Sequence, residues 1–151
     1  MLRIGYKLMS EEHGPEELVR NAKRAEQAGF DFAALSDHFF PWLEEQGHSP
    51  LAWSVLGAVA NATQRIGLMT AVTCPIMRYH PAIIAQGAAT LGLLSNNRFT
   101  LGLGAGERLN DRRCRLAREG RAPRTTVGGD RHYPGFAGRQ SHKLSRPLFS
   151  A

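Results

Sequence analysis

Residues 2–36 read LRIGYKLMSEEHGPEELVRNAKRAEQAGFDFAALS, and their punctuation is that of a strand, a helix and a second strand. Leu2 to Met9 is a short apolar run that fits a buried strand. Gly14-Pro15-Glu16-Glu17 starts a helix, with Pro15 at its first position and two carboxylates beside the positive end of its dipole. Leu18, Val19, Ala22 and Ala25 recur at helical spacing, and Gly29 stops the helix. Phe32 to Ser36 is again apolar and strand-like. The unit then repeats. Ser49-Pro50 caps a second helix carrying Leu51, Val55, Leu56 and Val59, and Ile66 to Val72 is a third strand. His80-Pro81 opens a third helix through Ile83, Ile84 and Leu91, ending at Asn96-Asn97. Phe99 to Leu103 is a fourth strand. Near-continuous apolar strands alternating with helices predict an α/β fold with a parallel sheet covered by helices. A doubly wound sheet and the first half of a β/α barrel both fit, although a whole barrel needs about 250 residues.

Composition bounds the rest. The chain has 151 residues and a formal net charge of +6, a length that predicts one domain with no need of a disulfide or metal staple. Cys74 and Cys114 form no paired motif, which predicts a reducing, cytoplasmic setting. No apolar run reaches the roughly 18 residues of a membrane span, and the chain is expected to carry no signal peptide. The charge is unevenly spread. Residues 1–110 carry 9 Lys and Arg against 10 Asp and Glu, whereas residues 111–151 carry 10 against 3. Large apolar residues (Leu, Ile, Val, Phe, Met, Trp) number 34 in the first stretch and 6 in the second. So residues 1–110 read as the globular part, and 111–151 as an Arg/Gly-rich tail too poor in apolar groups to offset its ordering entropy, hence disordered.

In parallel α/β folds chemistry gathers at the carboxyl ends of strands, and three polar clusters lie there. Ser36-Asp37-His38 follows the second strand, with Trp42 close behind. An imidazole beside a carboxylate can act as a general base, though spacing alone favours an Asp that caps a turn and a His on a wet loop. Thr70 to Pro75 ends the third strand; Cys74 there reads more readily as a small half-buried thiol than as a nucleophile. Gly102-Leu103-Gly104-Ala105-Gly106-Glu107, with Asn110, follows the fourth. Glycines at a strand end allow a ligand to approach the backbone. The G-x-G-x-x-G spacing fails in both registers, because Glu107 and Leu109 stand where the third Gly belongs. Glu107 could serve as a general acid or cap the next helix. His13, His48, His80, His132 and His142 show no metal-ligand spacing, so no metal is expected.

Together, Ile4-Gly5-Tyr6-Lys7, Ser36-Asp37-His38-Phe39, Trp42, Met77-Arg78-Tyr79-His80-Pro81 and Gly102 to Asn110 resemble the luciferase-like monooxygenase superfamily. Within it they are most similar to the deazaflavin-dependent glucose-6-phosphate dehydrogenase group. The resemblance covers residues 1 to about 110. It implies the N-terminal half, about four βα units, of a TIM-type (β/α)8 barrel, dimeric in relatives and binding coenzyme F-420, a deazaflavin hydride carrier. FMN and flavin-dependent monooxygenase chemistry are the alternative within the superfamily. It further implies that His38 is the base toward a substrate hydroxyl, Glu107 the group that protonates the ring, and Trp42 an aromatic at the reaction centre. Asp37, Asn110 and the backbone at Gly106 match cofactor contacts. Val72 lies where relatives carry a non-proline cis peptide, and Cys74 replaces the Thr of the sugar-phosphate enzymes, pointing to a sister oxidoreductase subgroup. The reaction implied is hydride transfer between an alcohol or sugar-phosphate type small-molecule substrate and the deazaflavin.

The pattern stops after Asn110. The tail shows no strand period, and helical signal is confined to about 112–119. Arg, Gly, Ala and Pro are what GC-rich codons yield out of register, so a frame change is one expectation, to be tested by sequencing the gene. A basic interaction protein that binds nucleic acid through 111–151 is the rival reading, disfavoured because Tyr133, Phe136 and Phe149 are sparse and no nucleic-acid module is recognisable. Four strands of a barrel leave open sheet edges, so this chain alone is expected to have little or no turnover. Pairing of two copies into a pseudo-barrel is the less favoured expectation.

Overall fold

The computed structural model describes residues 1–75, 78–108, 110 and 112. The expectations for the tail beyond Arg112, including its disorder, its short helix and a frame change, lie outside the described residues, as do the motif positions Met77 and Leu109.

Four strands and three helices alternate along the chain: β1 (Gly5–Leu8), α1 (Pro15–Gln27), β2 (Phe32–Leu35), α2 (Ala52–Ala62), β3 (Gly67–Thr70), α3 (Pro81–Leu94) and β4 (Phe99–Thr100). The sheet is parallel throughout, in the order β1-β2-β3-β4. Leu8, Leu35 and Thr70 stand in register across it. This order separates the two architectures left open by the sequence. A doubly wound sheet reverses its strand order at a switch point. Here every step goes one way, and right-handed crossovers then place successive helices on one face. Indeed α1 packs on α2 and α2 on α3. The fold is the opening stretch of a β/α barrel.

Burial alternates along the strands as a pleat requires. Leu8, Ala33, Leu35 and Leu68 are buried against the helices. Leu18, Ala22 and Ala25 of α1 and Val55, Leu56 and Val59 of α2 meet them there. Pro15 and the acidic pair Glu16 and Glu17 occupy the first turn of α1, and Gly29 lies beyond its end at φ +88°. His80 caps α3 by accepting the Ala82 N–H on Nδ1 at 3.2 Å.

Several boundaries differ from the sequence reading, and the first strand pairs only over Gly5–Leu8 of the run from Leu2 to Met9. Ser49 does not cap α2: the helix starts at Ala52 after Leu51, and the Ser49 hydroxyl donates to the His38 carbonyl at 2.7 Å. That bond ties the 37–47 loop to the foot of α2. The third strand ends at Thr70 rather than Val72, and the Ala71–Val72 peptide is cis, at the place the resemblance indicated. The fourth strand pairs only at Phe99–Thr100 and returns to the sheet in a bridge between Leu103 and Thr73. Between them Thr70 Oγ1 donates to the Gly102 carbonyl at 2.9 Å and accepts the Gly102 N–H at 3.0 Å, a side chain standing in for a ladder.

Glu26 joins α1 to the turn before β3. Its Oε1 accepts the backbone N–H groups of Gln64 (2.9 Å), Arg65 (2.5 Å) and Ile66 (2.9 Å). Burial pushes this carboxyl up, but the three donors outweigh it and hold it below the ordinary carboxylate value. The folded chain therefore binds fewer protons here than the unfolded one. The stabilisation is present above the unfolded value of 4.5 and is lost as pH falls through the lower folded value. Glu26→Gln is expected to cost about 1 kcal/mol near neutrality. In urea titrations the gap to wild type should hold down to about pH 5 and close as pH falls below 4.5 through the lower folded value. A gap that stays constant with pH would show that the charge has no part in it.

Candidate active site

The segments after the carboxyl ends of β2, β3 and β4 converge on one open cleft. All eight residues singled out from the sequence line it: Asp37, His38, Trp42, Val72, Cys74, Gly106, Glu107 and Asn110. Phe39, Arg78, Gly104 and Ala105 complete the described lining. His38 and Glu107, 69 positions apart in the chain, thus face the same space at the ends of β2 and β4. The cleft encloses about 190 Å³. That is less than the roughly 300 Å³ at which small-molecule sites begin.

His38 is held from behind by a residue that the sequence reading missed. Glu11, in the turn after β1, has a side chain only 1% exposed, and its Oε1 contacts His38 Nδ1. Glu11 Oε2 accepts the Ser36 hydroxyl at 3.2 Å, and Ser10 Oγ donates to the Ser36 carbonyl at 3.0 Å. Burial pushes the Glu11 carboxyl up, yet the hydrogen bonds from His38 and Ser36 bring it below its ordinary value, so it is ionised. An ionised carboxylate at Nδ1 places the proton on that nitrogen and leaves Nε2 as the free base. Trp42 Nε1 lies 3.2 Å from the same Nδ1 and cannot donate to a nitrogen that carries a proton. The indole instead packs edge-on against the imidazole, ring centroids 5.5 Å apart at 74°. A signal for Glu11 exists in the sequence: it directly follows a strand end, the position examined for the other three strands.

The opposite wall is built on Glu107. Its Oε1 accepts the Asn110 backbone N–H at 3.3 Å and also contacts Asn110 Nδ2. Glu107 therefore caps the turn that follows, and Oε2 has no partner among the described residues. Asn110 is buried, and its Oδ1 accepts the N–H groups of Phe39 (2.8 Å) and Phe40 (2.7 Å). Its amide bridges the two walls rather than opening into the cleft. Asp37 is likewise occupied. Its side chain is 1% exposed, Oδ2 accepts the Thr73 hydroxyl at 2.7 Å, and Oδ1 pairs with Arg78 and accepts the Tyr79 hydroxyl at 3.0 Å.

The floor is apolar. Thr73 is buried, while Val72 is 40% exposed and Cys74 is a half-buried free thiol. Thr73 N–H donates to the Gly102 carbonyl (2.8 Å) and Gly104 N–H to the Thr73 carbonyl (2.9 Å), fixing this segment to the glycine run. A Cβ on Gly104 would overlap Val72 Cγ2 and lie 3.2 Å from Cys74 Sγ, so it would displace the Val72 side chain. Lys7 of β1 reaches across to the Ala71 carbonyl at 3.2 Å; burial pushes its ammonium down, opposed by the Glu11 charge. Among the described residues no group of His, Cys, Asp and Glu could hold a metal ion, and no helix is long and apolar enough to cross a membrane.

Such a cleft has known counterparts. Residues 2–126 match the luciferase-like monooxygenase family, past the Asn110 at which the quoted motifs end. The chain is 50% identical over 111 residues to an F420-dependent glucose-6-phosphate dehydrogenase of Amycolatopsis mediterranei (strain U-32), covering 74% of this chain and 33% of that protein. A protein of the same name from Intrasporangium calvum is 49% identical over 111 residues, with the same shares covered. Among solved structures, an F420-dependent secondary alcohol dehydrogenase in complex with an F420-acetone adduct superposes with a TM-score of 0.72 at 40% identity, over 80% of this chain and 36% of that one. The coenzyme F420 dependent tetrahydromethanopterin reductase from Methanopyrus kandleri gives 0.62 at 28% identity, over 79% and 30%. The chain spans about a third of the length of the curated relatives it matches.

Proposed function

The chain belongs to the luciferase-like monooxygenase family, and from that premise we propose that its cleft is the N-terminal wall of a coenzyme F420 site serving hydride transfer with an alcohol. The observation that carries the reading is the pair of opposed groups on one cleft: His38, backed by the buried carboxylate of Glu11, and Glu107, with one carboxylate oxygen unspent. The lining suits a planar heterocycle. Val72 and Cys74 offer an apolar shelf, and Gly104, Ala105 and Gly106 add small residues to the same lining. A bound deazaflavin would supply a ring carbon able to accept or return a hydride.

The protein's own groups handle the protons. His38 Nε2 takes the proton of the substrate hydroxyl, and the Glu11 carboxylate stabilises the imidazolium so formed. Glu107 stands on the facing wall as the group to exchange a proton with the ring, and Trp42 packs edge-on against the imidazole. Arg78 is the only Lys or Arg among the described lining residues, and Asp37 already holds it. A substrate phosphate would therefore need cations from outside these lining residues. The rest of a barrel site comes from four further strands, so the 151-residue chain by itself is proposed to hold the coenzyme weakly and to turn over little.

Titration of the purified chain with oxidised coenzyme F420, read by the coenzyme's visible absorbance and fluorescence, tests this reading, with FMN as comparison. A weak, saturable shift is expected with F420, together with near-blank rates on 2-propanol and glucose 6-phosphate. Absence of any saturable shift, or FMN bound about tenfold more tightly, would overturn the deazaflavin assignment. Stoichiometric binding with turnover would overturn the weak-wall part of it.

A further inference from the structure

We infer that Asp37 is a positioning residue, which sets the height of the Val72–Cys74 shelf through Thr73 and Arg78 instead of touching the bound ring. This rests on the reading of the cleft as a coenzyme site. The geometry is one-sided. Asp37 lines the cleft, yet its side chain is 1% exposed and both of its oxygens face donors of the segment that joins β3 to α3. Oδ2 takes the Thr73 hydroxyl; Oδ1 takes Arg78 Nη2 and the Tyr79 hydroxyl. The Asp37 carbonyl accepts a further bond from Arg78 Nη2 at 2.8 Å, so one guanidinium nitrogen grips both the side chain and the backbone of the β2 end.

Alternation along the extended segment makes this a lever. Thr73 turns inward and is fully buried; Val72 and Cys74, one residue to either side, line the cleft. The backbone of Thr73 is bonded to Gly102 and Gly104 on the far side. The segment is thus fastened by its amides to one strand end and by its inward hydroxyl to another. Releasing the hydroxyl frees the shelf on the side nearer His38. Because Thr73 is 0% exposed, it cannot touch a ligand in the cleft. Any effect of Thr73 on binding is therefore an effect of position.

Thr73→Val, which keeps the shape and removes the hydroxyl, carries the test in the 151-residue chain with Cys114→Ser as background. It is expected to weaken coenzyme F420 binding about tenfold, Asp37→Ala is expected to do the same, and the double variant should be no worse than Asp37→Ala alone. Thr73→Ser, which restores the hydroxyl, should return wild-type affinity; a loss caused only by general destabilisation would not be rescued at unchanged unfolding midpoint. The Cys74 thiol gives a readout without any coenzyme. Its rate with a disulfide reagent should rise about tenfold in Thr73→Val and fall back in Thr73→Ser, following the opening of the segment. Losses that multiply in the double variant would make Asp37 a direct contact and overturn the inference, as would equal thiol rates in Thr73→Val and wild type. A wild-type chain that binds no coenzyme removes the proposed function, and the thiol rates still decide the clamp. Where Asp37→Ala fails to fold, Thr73→Val and Thr73→Ser decide alone.

Discussion

Arg98→Ala is expected to lower the unfolding free energy by about 3 kcal/mol, a large share of the 5–15 kcal/mol typical of a domain. No other side chain described here makes as many bonds. Its Nε donates to the Ser95 carbonyl at 2.8 Å. Nη1 donates to Thr63 Oγ1 (3.1 Å) and to the Ile66 carbonyl (2.8 Å), and Nη2 to the carbonyls of Ala60 (2.9 Å) and Thr63 (3.0 Å). Carbonyls in the last turn of a helix have no partner within it. Here one guanidinium meets the end of α2 and the end of α3 just before β4 begins. It is also a cation at the negative end of the α2 dipole. Truncation strands several carbonyls at once, which costs more than the bonds themselves contribute. Arg98→Lys retains the charge but not the planar fork, so it should recover less than half of the loss. Urea unfolding curves measure both. A loss under about 0.5 kcal/mol for Arg98→Ala would mean that these carbonyls find water instead.

Arg98 marks a limit of sequence reading. An isolated Arg before a short apolar strand has the appearance of a solvated charge, and nothing local tells that two helix ends arrive beside it. What was legible is what local physics controls. Pro15 with Glu16 and Glu17, the 3–4 spacing of Leu18, Ala22 and Ala25, and the stop at Gly29 place α1 to within two residues. The apolar runs place the strands but overextend them: β3 was expected to reach Val72 and β4 to reach Leu103, whereas the ladder ends at Thr70 and Thr100. The reason lies in pairing that periodicity does not encode. Thr70 uses its hydroxyl, not its backbone, to hold Gly102. The choice between a barrel-type and a doubly wound sheet was also beyond composition, since it depends on the direction in which strand order grows.

The site follows the same division. Clusters at strand ends were found because chemistry gathers there, and all three clusters reach one cleft. The use made of each carboxylate was not legible. Asp37 and Glu107 look alike in sequence, yet Asp37 is consumed by Thr73, Arg78 and Tyr79, whereas Glu107 keeps one oxygen with no partner among the described residues. Glu11 hid in a run of charges, Glu11-Glu12-His13, that resembles a wet turn. Only the closing of the chain shows Glu11 behind His38 and nearly free of solvent.

The second large effect concerns two glycines that sit two positions apart and fail in different ways. At Gly102 a Cβ would overlap the carbonyl oxygen of Thr70, a backbone atom of β3 that cannot move without parting the sheet. At Gly104 the obstacle is Val72 Cγ2, the tip of a side chain that is 40% exposed and free to swing toward the cleft. Gly102→Ala should therefore cost stability, about 2–3 kcal/mol as overpacking does. Gly104→Ala should cost less than about 1 kcal/mol, because a side chain moves instead of the backbone, but it turns Val72 into the space proposed for the ring. Its expected mark is a loss of coenzyme F420 binding of more than about tenfold at a nearly unchanged unfolding midpoint. Paired urea curves and coenzyme titrations on the two variants separate the roles. If Gly104→Ala binds coenzyme as wild type does, the shelf of Val72 and Cys74 is not where the ring lies, and the apolar floor of the cleft serves only to close the end of the sheet.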